Sequence, residues 1–226
     1  MFSIVGLLYF LEGLITFGVA YKLFKSFQKS KNYITRNFAF LFFFFTPTFF
    51  CWGLPSLVAP GNSLLLNIGS IAGEIFIFIG FAFGMRSFVA TSVATKFPQL
   101  SQNIISLATF LIGSVIVFLN VSVFGSSQLN PQGVIEWNLH PAAIVIYVTL
   151  ILSLTFPLGI EFFRLSIVNP ETRARSILLG VVSFLAGFGG ALVIMNIPWP
   201  ILMVGHILLS LGIVCMGWAI FFTEKT

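Results

Sequence analysis

Seven long apolar stretches constrain this chain more than any other feature of its sequence. They run approximately over Ser3–Phe24, Asn37–Ala59, Ser63–Met85, Ile104–Gly125, Pro141–Phe163, Ala174–Asn196 and Trp199–Phe222. A helix rises ~1.5 Å per residue, so about 20 apolar residues cross the ~30 Å of hydrocarbon in a bilayer. Each stretch is long enough. Hydrocarbon holds no water to bond stray backbone amides, so a helix is the form such a stretch can take there. Charged residues make up only 8% of the chain and Asp is absent, whereas a soluble domain uses roughly 25% to solvate its surface. The expected fold is an all-α integral membrane protein. It is a single seven-transmembrane-helix bundle over residues 1–226, multi-pass in a cell membrane, with the lipid bilayer as its solvent.

The basic residues orient the bundle. Lys22, Lys25, Lys29, Lys31 and Arg36 follow the first span, Arg86 and Lys96 the third, and Lys225 the seventh. Arg164, Arg173 and Arg175 surround the link between the fifth and sixth spans. All fall on one side, and Lys and Arg are retained in the cytoplasm, so the N-terminus is expected outside and the C-terminus inside. The opposite side holds Pro60-Gly61-Asn62, the loop Ser126–His140 with Glu136, and the turn Asn196–Pro200. Trp137 and Trp199 stand where outer-interface aromatics belong, and the Ser126–His140 loop is long enough to form a small cap. Segregated this way, the net charge of +5 points to anionic inner-leaflet lipid and not to nucleic acid. The Lys22–Arg36 segment is also the best surface for a cytoplasmic protein partner. Cys51 and Cys215 lie within apolar spans and imply no disulfide.

The chain carries a weak internal repeat. Thr16-Phe17 and Phe24-Lys25 match Thr155-Phe156 and Phe163-Arg164, and Arg36 matches Arg175, at one offset of 139 residues. At an offset of 132, Gly73-Glu74-Ile75 with Gly80 matches Gly205-His206-Ile207 with Gly212. The outline is a repeat over 3–88, a linker helix over 104–125 and a second repeat over 141–222 in the same orientation. This three-plus-one-plus-three arrangement resembles a seven-helix group that includes sugar-efflux SWEET proteins, PnuC-type vitamin transporters and microbial rhodopsins. It also resembles the seven-helix sensor region of some bacterial histidine kinases. The resemblance implies a transporter or a receptor-like module. Retinal binding is disfavoured, since Trp199–Phe222 holds no lysine for a Schiff base, and the first span lacks the proline usual in SWEET repeats.

Ionisable side chains in hydrocarbon are costly and are functional candidates by default. Glu12, Glu74 and His206 stand about nine, eleven and seven residues into their spans from the outer side. That is roughly 10–17 Å deep at ~1.5 Å per residue, so all three could meet in one polar cavity and exchange a proton there. Trp52, Asn67 and Asn120 lie in the outer halves of their spans and are the remaining candidate ligand- or proton-binding residues. The bland reading of each is interhelical bonding or packing. A metal or other cofactor is not expected, since no two ligands share the i, i+3 or i, i+4 spacing on one helix. Glu161 and Arg164, spaced i, i+3, are expected to pair at the cytoplasmic end. Pro47 and Pro157 should bend their helices, and Gly69, Gly73, Gly80 and Gly84 should let the third span pack closely.

No nucleophile–base pairing, clustered His or Gly-rich phosphate loop is present, so an enzyme is the least favoured class. The expectation is a small-molecule or proton-coupled transporter with a central polar cavity. The alternatives are a seven-helix sensor signalling to a separate cytoplasmic partner and a structural subunit of a membrane complex. Homo-oligomerisation is left open.

Overall fold

The computed structural model describes residues 3–92, 99–125, 127–195 and 197–221. Lys96, Ser126, Asn196, Phe222 and Lys225 therefore lie outside the described residues. Among the described residues seven α-helices form: α1 (Ile4–Ser30), α2 (Tyr33–Val58), α3 (Ser63–Ser92), α4 (Gln99–Val121), α5 (Pro141–Val168), α6 (Arg173–Ile194) and α7 (Trp199–Phe221). All seven are long and apolar enough to cross a membrane.

Local chemistry fixes where helices start and stop. Ser3 Oγ accepts from the Gly6 amide at the start of α1, and Asn32 Oδ1 accepts from Ile34 and Thr35 at the start of α2. Lys31, at φ 53°, ends α1 by donating its amide to Phe27 O. His140 caps α5 by accepting the Ala142 amide on Nδ1 at 3.2 Å, with Pro141 in the first turn. Each satisfies amides or carbonyls that a helix end leaves free. Several helices outrun the apolar stretches that predicted them: α1 continues to Ser30, α3 to Ser92 and α5 to Val168. Hydropathy marks where lipid would end, while the backbone ladder continues through polar residues. α4 goes the other way and stops at Val121, not Gly125. The chain turns through 122–125, with Gly125 at φ 96°.

Consecutive helices run antiparallel, as the contacts of small residues show. Gly6 meets Ser56 while Gly13 meets Phe50, and Gly69 meets Cys51 while Gly80 meets Phe45 and Leu41. The same crossing order recurs at α6 and α7, where Gly205 meets Leu192 and Gly212 meets Leu185 and Ala186. The closest approach on α3 is at Gly73, where a Cβ would lie 2.2 Å from Trp52 Nε1. Only glycine fits there. α1 packs on α7, while α4 packs on α3 and more lightly on α5, and α3 touches α5 more lightly still. Two ends follow. The basic end carries the α1–α2 and α5–α6 links, and the hairpin end carries the segment between α4 and α5.

That segment folds inward. Gln128–Leu129 and Ile135–Glu136 pair as a two-stranded antiparallel hairpin, β1 and β2, which sinks Val134, Ile135, Trp137 and Leu139 into the bundle. Trp137 is thus not an interface aromatic. It is 7% exposed and packs against Tyr9 and Trp52, whereas Trp199 is 45% exposed. The polarity of the helices is the reverse of a soluble bundle. α1 buries Tyr9, Glu12 and Thr16 and exposes Leu7, Leu11, Leu14 and Phe17.

Candidate functional site

Polar side chains gather in the hairpin half of the bundle in two groups, one on α1 and α7 and one on α3 and α4. In the first, Glu12 is 2% exposed, and its Oε1 accepts from Ser210 Oγ across the α1–α7 seam. Its Oε2 has no partner among the described residues. Tyr9 lies three residues earlier on the same face of α1, and the His206 imidazole meets the Tyr9 ring edge-on with centroids 5.1 Å apart. His206 is fully buried, and neither ring nitrogen has a hydrogen-bond partner among the described residues.

In the second group Glu74, 1% exposed on α3, accepts on Oε1 from Asn120 Nδ2 of α4 at 2.9 Å. Ser70, one turn earlier, is also within hydrogen-bonding reach of the carboxyl, and Glu74 Oε2 has no partner. Asn120 Oδ1 accepts the His140 amide at 3.0 Å, so one side chain links α3, α4 and the start of α5. Tyr147 of α5 has a fully buried hydroxyl with no partner, in electrostatic range of Glu74.

An aromatic partition stands between the groups. Tyr9, Trp52 and Trp137 have ring centroids 5.4–6.2 Å apart, and Trp137 Nε1 donates to Tyr9 OH at 3.3 Å. Trp52 Nε1 donates to Ser70 O at 3.3 Å. Asn67 pins the hairpin segment. Its Nδ2 donates to Ser63 O, and its Oδ1 lies 3.1 Å from Ser127 Oγ, which shares its one proton with Trp137 O at 2.9 Å.

Glu12 and His206 thus stand in the first group, both beside Tyr9 and α7, and Glu74 in the second. Among the described residues no three His, Cys, Asp or Glu side chains gather as a metal site would require. A void of about 80 Å³ lies under the partition, lined by Trp52, Phe49, Tyr147, Ile151, Thr155 and Gly190. A larger cavity of about 340 Å³ sits between α1, α2, α5, α6 and α7 and reaches the basic end, where Thr35, Thr172 and Arg175 rim it. The same stripe of α5 serves both, Tyr147, Ile151 and Thr155 above and Leu158, Phe162 and Leu165 below. These positions recur at three- and four-residue steps, so they line one face of the helix.

Of the sequence candidates, Trp52 faces the void, Asn120 bonds Glu74, and Asn67 is absorbed in holding the hairpin segment. Glu161 and Arg164 pair at 2.6 Å, as their spacing predicts. Sequence reasoning missed Tyr9, Ser210 and Tyr147. Tyr9 stands at i−3 from Glu12 and Ser210 at i+4 from His206, so helical spacing alone could have found both. Nothing local points to Tyr147.

The fold defines an all-helical bundle of seven membrane-length helices with a polar interior. The chain matches no protein-family profile, no curated protein and no solved structure.

Proposed function

We propose that this protein is a multi-pass membrane carrier that moves a small molecule by alternating access, coupled to protonation of Glu12, Glu74 and His206. The observation that carries the reading is the pair of buried carboxyls, each with one oxygen bonded and one without a partner, and an imidazole with no hydrogen-bond partner among the described residues. Buried polar atoms are normally satisfied. Groups left open at this depth are suited to taking up and releasing a proton as the bundle rearranges.

The hairpin end is outside and the basic end cytoplasmic in this reading, supported by the collection of Lys and Arg at one end and by the exposed Leu and Phe faces that lipid would cover. The protein is then viewed in an inward-facing arrangement. The 340 Å³ cavity is the cytoplasmic vestibule, and the Tyr9–Trp52–Trp137 partition under the hairpin is the closed outer gate. A duplicated architecture agrees with the packing. Exchanging α1–α3 with α5–α7 turns the α1–α7 contact into the α5–α3 contact, and both exist. Gly73 and Gly80 on α3 and Gly205 and Gly212 on α7 make the close approaches in corresponding seams.

Reconstituted in liposomes with a pH-sensitive dye inside, the protein should carry protons down an imposed gradient. Glu74→Gln keeps the acceptor for Asn120 but removes the titrating group, so flux should fall to the level of empty liposomes. Unchanged flux in Glu74→Gln and in Glu12→Gln would overturn the carrier reading and leave the receptor-like alternative.

A further inference from the structure

We infer that the cavity at the basic end binds a small amphipathic carboxylate, its charged group at Arg175 and its apolar tail against Leu158, Phe162, Leu179 and Met216. This rests on the carrier reading and names its substrate class.

The cavity walls are mostly aliphatic and aromatic, and of the polar lining residues Thr35, Thr172, Arg175 and Ser176 stand at one end, while Ser183, deeper on α6, donates its hydroxyl to Leu179 O. Arg175 is half-buried at that rim and has no ion-pair or hydrogen-bond partner among the described residues. Glu171, one turn earlier and exposed, makes no bond to it. Ser176 is 6% exposed, lines the cavity and likewise has no hydrogen-bond partner among the described residues. Thr35, from α2, stands across the rim. α6 begins here with no side chain capping it, since the hydroxyl of its N-cap Thr172 makes no such bond. The dipole of that first turn favours an anion, although the Arg173 amide is already bonded to Pro170 O.

No carboxylate lines the cavity, so a cation would meet only the guanidinium. A sugar would find too few polar partners along apolar walls, and burying its hydroxyls unpaired is costly. A carboxylate suits the rim, because guanidinium offers it two parallel donors. An apolar tail suits the walls, with each methylene removed from water contributing about 0.8 kcal/mol. The volume of about 340 Å³ lies at the small end of the ~300–1,000 Å³ typical of ligand sites, so the ligand is a short acid.

The test uses the full chain in nanodiscs of zwitterionic lipid, titrated calorimetrically with octanoate, octanamide and octylamine, with empty nanodiscs subtracted. Octanoate should bind, and the amide and the amine should bind about tenfold more weakly or not at all, as a charge-assisted bond implies. Arg175→Gln should lower octanoate affinity by a similar factor without affecting the amide, and Arg175→Lys should retain part of it. Equal binding of acid and amide, or an unchanged octanoate affinity in Arg175→Gln, would overturn the inference. Because this is a binding measurement, it is independent of proton flux. Selective octanoate binding without flux would keep the site and remove the carrier, whereas flux without selective binding would keep the carrier and remove this substrate class.

Discussion

Asn120 is the side chain whose loss should best report whether the polar interior is a connected structure. It is 3% exposed, donates to Glu74 Oε1 at 2.9 Å and accepts from the His140 amide at 3.0 Å. Asn120→Leu keeps the approximate volume and removes both bonds. The Glu74 oxygen is then stranded in a dry interior, which costs about 1–3 kcal/mol. The His140 amide lies at the half-buried end of α5, where water can replace the lost partner, so its share is about 1 kcal/mol. The expected loss is about 2–4 kcal/mol, read from reversible unfolding by SDS in mixed micelles. In a Glu74→Gln background the acceptor remains, so Asn120→Leu should cost nearly as much. In a Glu74→Leu background the acceptor is gone, and the cost should fall by about 1–2 kcal/mol, the coupling expected of residues in direct contact. A loss under about 0.5 kcal/mol, or the same loss in all three backgrounds, would refute the claim that Asn120 ties α4 to Glu74.

Two further perturbations test the partition and the seams. Gly73→Ala would put a Cβ 2.2 Å from Trp52 Nε1 and force the indole off Ser70 O, costing about 2–3 kcal/mol by overpacking; Gly61→Ala, with nothing within 4 Å, should be neutral or slightly stabilising in the same assay. Trp137→Ala empties a site that is 7% exposed between Tyr9 and Trp52, costing about 3 kcal/mol. It should also make the 129–135 turn markedly more sensitive to limited proteolysis, and an unchanged digestion pattern would count against the inward-packed hairpin.

The helices were legible because hydropathy and helix length answer to one physical requirement, burial of backbone polar groups over a membrane-sized distance. It showed seven stretches and roughly where each begins, and it marked Glu12, Glu74 and His206, since a charged side chain in such a stretch stands out against its surroundings. It could not show whether these three meet. Depth follows from counting residues along a helix, but azimuth depends on which neighbour each helix packs against, and apolar faces surround these helices on nearly every side. Tertiary structure decided that Glu12 bonds α7 and Glu74 bonds α4, with Tyr9, Trp52 and Trp137 between them. It also turned Trp137 from an interface aromatic into a core one, since the loop holding it returns to the bundle through Asn67 and Ser127. Arg175 marks the same boundary. In the sequence it is one of several basic residues at one end. Only the packing of α1, α2, α5, α6 and α7 leaves a cavity for it to rim, because an empty volume belongs to several helices at once and is encoded in none of them alone.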